Sequence, residues 1–373
     1  MSSGDDLRKP AEPIPLTVLT GFLGAGKTTL LNRLLQDEAL AGTVVIINEF
    51  GEIGLDHLLV RTIDDNMVLL QSGCLCCTLR GDLVSALEGL LRDLDNGRIS
   101  FRRVILETTG LADPAPVLQT AMAHPYLVMR FRIDGVITVV DAINGAATLD
   151  DNIESLKQVA VADRIILTKS DLADTAERRR ARDALLARLA ALNPAAPVLD
   201  AAAGEATAAR LLECGLYNPD QKIPDVKRWL AEEAYAAPAH HHHDPNRHDD
   251  RIRAFTIATD TPVSGATFEL FIDLVRSLHG PKLLRLKGIV KVAEEPDRPL
   301  VIHGVQHVMH PPVRLERWPD ADERTRIVVI TRDLAPEAVT RLFDAFLERR
   351  APDTPDRAAL FDNPLVPFGG VDR

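Results

Sequence analysis

A glycine-rich segment of eight residues carries the strongest chemical signal in the sequence. Residues 21–28 read Gly-Phe-Leu-Gly-Ala-Gly-Lys-Thr, which fits the pattern GxxxxGK[ST]. An apolar, strand-like run precedes them and a helical pattern follows. Such a loop turns successive backbone N–H groups inward, and the N-terminus of the next helix adds partial positive charge. The segment therefore predicts a phosphate-binding P-loop, and a purely structural glycine-rich turn is the alternative.

Each position of this loop has a predicted role at a bound nucleoside triphosphate. Lys27 reaches the β- and γ-phosphates, and the hydroxyl of Thr28 binds Mg²⁺. The remaining contacts to the phosphates are assigned to the other loop positions and the first helical turn, namely Gly21, Gly24, Ala25, Gly26 and Thr29.

A second motif favours guanine over adenine. Thr168-Lys169-Ser170-Asp171 follows the strand-like run 165–167 and resembles the NKxD motif of GTPases. A carboxylate at Asp171 accepts from both N1–H and the 2-amino group of guanine, whereas adenine offers no such donor pair. Thr168 replaces the usual Asn, so we expect one amide contact to the base and to the P-loop to be lost. Taken alone, the tetrapeptide is equally consistent with a helix cap at Ser170 and Asp171.

Two carboxylates follow apolar runs that predict strands. Glu107 opens the sequence Glu-Thr-Thr-Gly, and we expect it to hold Mg²⁺ or a magnesium-bound water. Gly110 closes that sequence and allows the backbone to approach the γ-phosphate. Asp141 is interpreted as a strand-end cap. Both carboxylates are expected at the carboxyl edge of a sheet, where open α/β folds bind ligands.

Three of the four cysteines lie within residues 74–77, which is too crowded for an ordinary disulfide framework. Thiolates on a loop suit a soft or borderline ion, zinc above all. Cys74, Cys76 and Cys77 are the predicted ligands, with Cys76 and Cys77 first. Because neighbouring side chains do not easily enclose one ion, we expect a further ligand, and the candidates are Glu52, His57 and an external group. The alternative is that these cysteines are small buried apolar residues.

Short aliphatic runs alternate with helical patterns from residue 15 to about 202, which is typical of a mostly parallel sheet covered by helices. The predicted strands are 16–19, 44–47, 67–70, 104–106, 136–140 and 165–167. A leucine stripe between 79 and 94 predicts a helix packed on the sheet. The fold class is α/β: a P-loop GTPase-type domain followed by a small α+β domain.

We divide the chain of 373 residues into a tail (1–14), a GTPase-type domain (15–235), a linker (236–252), an α+β domain (253–350) and a second tail (351–373). The linker carries four consecutive histidines, 240–243, and His248. They are interpreted as either a weak metal-collecting tract or a solvated connection.

In the C-terminal part, strands are predicted at 253–257, 283–292, 300–308 and 326–331. Two helices complete it: a last helix around 339–347, and an earlier one whose apolar face is formed by Leu270, Phe271, Leu274, Val275 and Leu278. Arg285, Lys287 and Lys291 alternate with apolar residues and are interpreted as a solvent-facing strip. His303, His307 and His310 are assigned ordinary core or surface positions.

The formal net charge of −11 argues against a nucleic-acid partner, which would need clustered Lys and Arg. No apolar run is long enough to cross a bilayer, and the polar, acidic start lacks the features of a secretory signal. We therefore expect no membrane partner and a cytoplasmic protein. No pattern in the sequence specifies its oligomeric state.

With the P-loop, Glu-Thr-Thr-Gly, the cysteine loop and residues 48–52 (Asn-Glu-Phe-Gly-Glu), the chain resembles the CobW family of metal-linked GTPases over nearly its whole length. The resemblance implies a metallochaperone that hydrolyses GTP and serves a client metalloprotein, with Cys-x-Cys-Cys as the zinc or cobalt site and Glu52 assisting. No glutamine or arginine finger is readable, so slow intrinsic hydrolysis is expected. A P-loop kinase or ATPase, and a metal buffer with a vestigial nucleotide site, are the alternatives.

Overall fold

A computed structural model describes residues 13–49, 67–71, 78–212, 251–306 and 308–347. Within these residues the N-terminal half forms a parallel sheet of seven strands in the order β3-β2-β4-β1-β5-β6-β7. The strands are β1 (Ile14–Gly21), β2 (Thr43–Glu49), β3 (Met67–Gln71), β4 (Arg103–Glu107), β5 (Phe131–Asp141), β6 (Arg164–Thr168) and β7 (Val198–Asp200). The α/β prediction is thus confirmed, and β7 is an additional strand that the sequence did not reveal.

Helices cover both faces of this sheet because its central strands are apolar on both sides. The helices are α1 (Lys27–Leu34), α2 (Thr78–Asp95), α3 (Ala115–Ala123), α4 (Pro125–Arg130), α5 (Gly145–Asp151), α6 (Ile153–Ala160), α7 (Ala176–Leu192) and α8 (Ala208–Leu211). α1 and α8 pack on one face, where Leu31, Leu211 and Ile105 belong to one apolar cluster. α2 to α4 pack on the other face. The predicted leucine stripe lies there, with Leu83, Leu87, Leu90 and Leu91 buried.

The C-terminal part is an antiparallel sheet with two helices on one face. Its strands are β8 (Ile252–Thr259), β9 (Leu283–Val290), β10 (Leu300–Val305), β11 (Val308–Met309), β12 (Val313–Arg314) and β13 (Thr325–Arg332). The helices are α9 (Gly265–His279) and α10 (Pro336–Phe346). Phe271 of α9 packs against Phe343 of α10 at a ring-centroid distance of 5.0 Å. The prediction of which face of α9 is buried is partly wrong. Leu270 and Leu278 are exposed, whereas Phe268, Phe271 and Val275 are buried.

Arg285 and Lys287 do not face solvent as predicted. Both side chains are buried and both donate to Oδ1 of Asp163, which lies between α6 and β6. Arg285 also donates to the backbone oxygen of Val161. The strand β9 is buried on both sides, because α9 and α10 cover one face and the N-terminal sheet domain meets the other. The alternation of charge with apolar residues therefore marks a domain interface.

Two histidines extend this interface. His303 is buried beside Arg285, and its ring stacks on that of His310 at 4.5 Å between centroids. Burial, the neighbouring His310 and the Arg285 charge hold the pKa of His303 well below its usual value of 6.5. His303 is therefore a buried residue of this interface, one of the two positions that the sequence left open. His307 and the linker histidines lie outside the described residues. In the described part of the chain, no helix has the length and apolar content to span a membrane.

Candidate functional site

The loop between β1 and α1 has the backbone of a phosphate cradle. Gly21, Gly24 and Gly26 have φ values of 139°, 71° and 94°, a region that side chains disfavour. At Gly21 a Cβ atom would also lie 2.3 Å from the backbone oxygen of Val139. The glycines of the motif are therefore required by this conformation. α1 begins at Lys27, so its N-terminal N–H groups lie at the loop.

Lys27 and Thr28 bring a cation and a hydroxyl to the carboxyl edge of the sheet. The Lys27 side chain is 8% exposed, and its Nζ donates to the backbone oxygens of Gly21 and Phe22 at 2.9 and 3.3 Å. Thr28 Oγ1 donates to Oε1 of Glu107 at 3.1 Å. Thr29, which follows in the first turn of α1, is exposed.

Glu107 ends β4, the strand beside β1, and is 5% exposed. The carboxylate of Glu107 and the hydroxyl of Thr28 therefore offer two oxygen ligands to a metal ion beside the loop. Oxygen donors are what Mg²⁺ prefers, so the residues present fit this ion. Beyond Glu107, Thr108 Oγ1 donates to Thr20 Oγ1 at 2.8 Å, which fixes the first residue after β4 to β1.

Gly110 lies at a position that has no room for a side chain. A Cβ atom there would lie 2.5 Å from the backbone nitrogen of Leu23 in the P-loop. The Glu-Thr-Thr-Gly segment therefore touches the P-loop directly, and a larger residue would force the two loops apart.

Thr168 contacts the P-loop although it replaces the usual Asn. Its Oγ1 lies 2.6 Å from the backbone oxygen of Ala25 and 3.2 Å from that of Val140. A threonine hydroxyl has one proton to donate, so the shorter contact, to Ala25, is the hydrogen bond we assign. The expected loss of the P-loop contact is therefore wrong, since a hydroxyl takes the place of the amide.

Lys169 and Asp141 form a pair behind the same loop. Lys169 Nζ donates to the backbone oxygen of Gly24 and to Asp141 Oδ2, both at 2.8 Å. Asp141 also accepts from the backbone N–H groups of Ile143 and Asn144, as a strand-end cap would. Burial raises the pKa of the Asp141 carboxyl, but hydrogen bonds from Lys169 and Asn144 outweigh it and lower the pKa below 3.8.

Asp171 lies in a short 3₁₀ helix, Ser170–Leu172, and is exposed at the edge of the site. Its neighbour Ser170 donates to Oδ1 of Asp200 at 2.5 Å, and that oxygen also accepts from the N–H of Ala202. The loop after β7 thus lies beside the Thr168–Asp171 motif. Sequence reasoning missed it, and its signal was the Asp-Ala-Ala-Ala-Gly run at 200–204.

The predicted zinc ligands Cys74, Cys76, Cys77 and Glu52 lie outside the described residues, as do His57 and Cys214. The elements that bracket them are described: β2 ends at Glu49, β3 ends at Gln71 and α2 begins at Thr78. β2, β3, β4 and β1 are parallel, so all four end at the same edge of the sheet. With neighbouring strands about 4.8 Å apart, β3 lies roughly 14 Å from the P-loop strand.

Comparisons with known protein families match both parts of the chain. The CobW/HypB/UreG nucleotide-binding domain matches residues 15–200, and the cobalamin synthesis protein cobW C-terminal domain matches residues 252–347. The zinc chaperone YjiA of Escherichia coli (strain K12) is 34% identical over 332 residues, covering 89% of this chain and 98% of that protein. The zinc-regulated GTPase metalloprotein activator 1 of Schizosaccharomyces pombe is 38% identical over 43% of this chain and 40% of its own length.

A solved structure supports the fold of both parts. The crystal structure of the Zn(II)-bound YjiA GTPase from E. coli aligns with a TM-score of 0.66 at 30% identity, covering 90% of this chain and 99% of that one. A triple mutant of YjiA, with one glutamate and two cysteines changed to alanine, is also described as Zn(II)-bound and aligns equally well.

Proposed function

The chain belongs to the CobW family of P-loop GTPases, and from this premise we propose that it hydrolyses GTP to GDP and phosphate in order to deliver zinc to a client metalloprotein. One observation carries the proposal. The P-loop, the Glu107 carboxylate and the Thr168–Asp171 motif converge on one edge of the sheet, joined by the Thr28–Glu107 and Thr168–Ala25 hydrogen bonds.

The proposed roles of the residues follow from this geometry. Main-chain N–H groups of the loop hold the phosphates, and Lys27 neutralises their charge. Thr28 and Glu107 would hold Mg²⁺, which supplies charge stabilisation at the β- and γ-phosphates. Asp171 selects guanine, while Thr168 and Lys169 keep the motif in contact with the P-loop through Ala25 and Gly24.

Zinc is the cargo in this proposal, and cobalt is the second candidate. The Cys-x-Cys-Cys loop at 74–77 is proposed as its site, with Glu52 as a further ligand. The sheet order supports communication with the nucleotide, because β2 and β4 alone separate the strand before the thiols from the P-loop strand. The triple mutant of YjiA is Zn(II)-bound although two cysteines and one glutamate are replaced, so the number of zinc ions bound per chain should be measured together with the loss in cysteine variants.

Nucleotide selectivity and turnover test the proposal. We expect hydrolysis of GTP, slow in the absence of a client, with ATP turned over at most about one-hundredth as fast, because Asp171 has no donor pair to accept from adenine. Release of phosphate, measured with each nucleotide and Mg²⁺, decides this. A preference for ATP together with phosphate transfer to an acceptor would establish a kinase instead.

A second measurement separates a chaperone from a metal buffer. The Lys27→Ala variant should lose GTP hydrolysis and also zinc transfer to an acceptor apoprotein or chelator. The exposed Lys282 provides a matched control, since Lys282→Ala removes the same charge from the C-terminal part, just before β9. Zinc transfer that is unchanged in Lys27→Ala would indicate a buffer whose nucleotide site has no part in delivery.

A further inference from the structure

The residues just after Glu107 form a loop, 110–113, that is held in place by side chains from outside it. Its first residue, Gly110, lies against Leu23 of the P-loop, as shown by the 2.5 Å separation that a Cβ atom would have from the Leu23 nitrogen. Any movement of this loop therefore changes the contact with the segment that holds the phosphates.

Gln158 of α6 binds two backbone oxygens of this loop with one amide group. Its Nε2 donates to the oxygen of Gly110 at 3.2 Å and to that of Ala112 at 3.0 Å, and the side chain is 1% exposed. A buried amide with two acceptors in one loop fixes the curvature of that loop, because losing it leaves two carbonyls without their donor.

The end of the loop is bound from two domains. Asp113 accepts from Lys157 Nζ at 3.0 Å, and Lys157 is the neighbour of Gln158 on α6. The same oxygen, Asp113 Oδ2, accepts from Gln306 Nε2 at 3.4 Å. Gln306 lies in the turn between β10 and β11 of the C-terminal sheet, with a φ of 52°. The C-terminal domain therefore contacts the loop that lies against the P-loop.

We propose that Gln158 is a positioning residue for GTP hydrolysis, and that Gln306 is the contact through which the C-terminal domain controls the turnover rate. This inference rests on the GTPase activity proposed above. The 110–113 loop is bound at its start by Gln158 and at its end by Lys157 and Gln306. These contacts set where Gly110 lies relative to the P-loop, and hence the geometry at the γ-phosphate, but they do not touch the guanine-reading motif.

The first test replaces Gln158 with an isosteric side chain that cannot donate. In the full-length chain, Gln158→Met should lower kcat for GTP about tenfold while KM for GTP and the affinity for GDP stay within about twofold. The split between kcat and KM distinguishes positioning from general damage. Gln36→Met, at an exposed position after α1, makes the same chemical change away from the loop and should leave kcat unaltered.

The second test uses a variant that preserves the fold at the turn. Gln306→Asn keeps a residue that tolerates positive φ but withdraws the amide by one methylene group. We expect kcat to change about threefold, and this effect to vanish in an Asp113→Asn background, where the acceptor oxygen is gone. Asp113→Asn retains Oδ1, which accepts from the Ala115 N–H at the start of α3.

The outcomes separate this inference from the function on which it rests. A wild-type chain that turns over no GTP would overturn both. Active wild type, with both Gln158→Met and Gln306→Asn matching its kcat, would overturn the positioning role alone, whatever the variants do to thermal stability. Should Gln158→Met not fold, the Gln306→Asn and Asp113→Asn pair decides, since additive effects would contradict the contact.

Discussion

Thr168 Oγ1 donates to the backbone oxygen of Ala25 at 2.6 Å, joining the end of β6 to the P-loop across a sequence separation of 143 residues. Together with the bond from Lys169 Nζ to the Gly24 oxygen, it holds the Thr168–Asp171 motif against the P-loop. It also explains why a threonine is tolerated at a position where an asparagine is usual, since either side chain can donate to that carbonyl.

Removing this hydrogen bond should affect both stability and binding. Thr168→Val keeps the shape and deletes the donor, leaving the Ala25 carbonyl without its partner. We expect a loss of about 1–2 kcal/mol in the free energy of unfolding and weaker binding of GTP and GDP alike. Urea denaturation and fluorescent-nucleotide titration measure the two effects. Thr168→Ser retains the hydroxyl and is the matched control; equal losses in both variants would show that the methyl group matters instead.

Base selectivity should follow the side chain at 171. Asp171→Asn replaces an acceptor by an amide that can donate, so the affinity for GTP should fall at least about tenfold. Affinity for the xanthine nucleotide should rise, because xanthine carries a carbonyl where guanine carries its 2-amino group. Competition titrations with the two triphosphates check this. An unchanged ratio of their affinities would remove Asp171 from the base site.

Glu107 should determine how strongly Mg²⁺ stimulates GTP binding. Glu107→Gln keeps an oxygen near Thr28 but removes the negative charge, so the stimulation of GTP binding by Mg²⁺ should shrink while magnesium-free binding changes little. The exposed Glu38 gives a control, Glu38→Gln, that removes one charge elsewhere. Full magnesium stimulation in Glu107→Gln would assign the ion to other ligands.

The stability of the interface between the two sheets should depend on Asp163. Burial alone would raise the pKa of this carboxyl, but the charges of Arg285 and Lys287 hold it well below 3.8. Asp163→Asn leaves two buried cations without their carboxylate, and breaking such a pair typically costs about 3–5 kcal/mol. Thermal unfolding should show the loss. A change below about 0.5 kcal/mol, the range of ordinary surface substitutions, would contradict a buried ion pair.

The same interface should weaken in acid through His310. Burial lowers the pKa of His310 to about 4, so the folded protein favours the neutral ring. The stabilisation of the folded state by this neutral ring is fully present above the unfolded pKa of about 6.5. As the pH falls from there towards 4, about 2–3 kcal/mol of the free energy of unfolding is lost. Comparing wild type with His310→Gln across this range isolates the effect. His124→Gln, a half-exposed position, is the control, and parallel pH curves for wild type and His310→Gln would contradict the assignment.

Local signals made the backbone geometry of the P-loop and the position of Glu107 predictable. The P-loop is fixed by its own glycines and by the strand and helix beside it, and Glu107 could be placed from the apolar run before it. The loop after β7 escaped notice because three residues, Val198–Asp200, are too few to show a period. The hydroxyl contact of Thr168 depends on a carbonyl far away in the chain, which no local pattern encodes.

In the C-terminal domain, by contrast, local sequence patterns predicted burial incorrectly. Arg285 and Lys287 have the spacing of a solvent-facing strand, and their burial results from the contact with Asp163, about 120 residues earlier. A charge alternating with apolar residues has the same appearance whether water or another domain covers it. Leu270 was placed on the buried face of α9 for a similar reason, because hydrophobicity alone does not reveal which apolar residues a partner covers.

The proposed coupling between nucleotide state and metal binding at the thiols of residues 74–77 is tested most directly by titrating the full-length chain with Co²⁺ in the presence of GTP or GDP. Thiolate-to-cobalt absorption reports the thiol site, and Cys76→Ser identifies its signal. We predict cobalt affinities that differ at least about fivefold between the two nucleotides, with the reciprocal change in GTP affinity when metal is bound. Identical cobalt titrations with GTP, with GDP and without nucleotide would contradict the account.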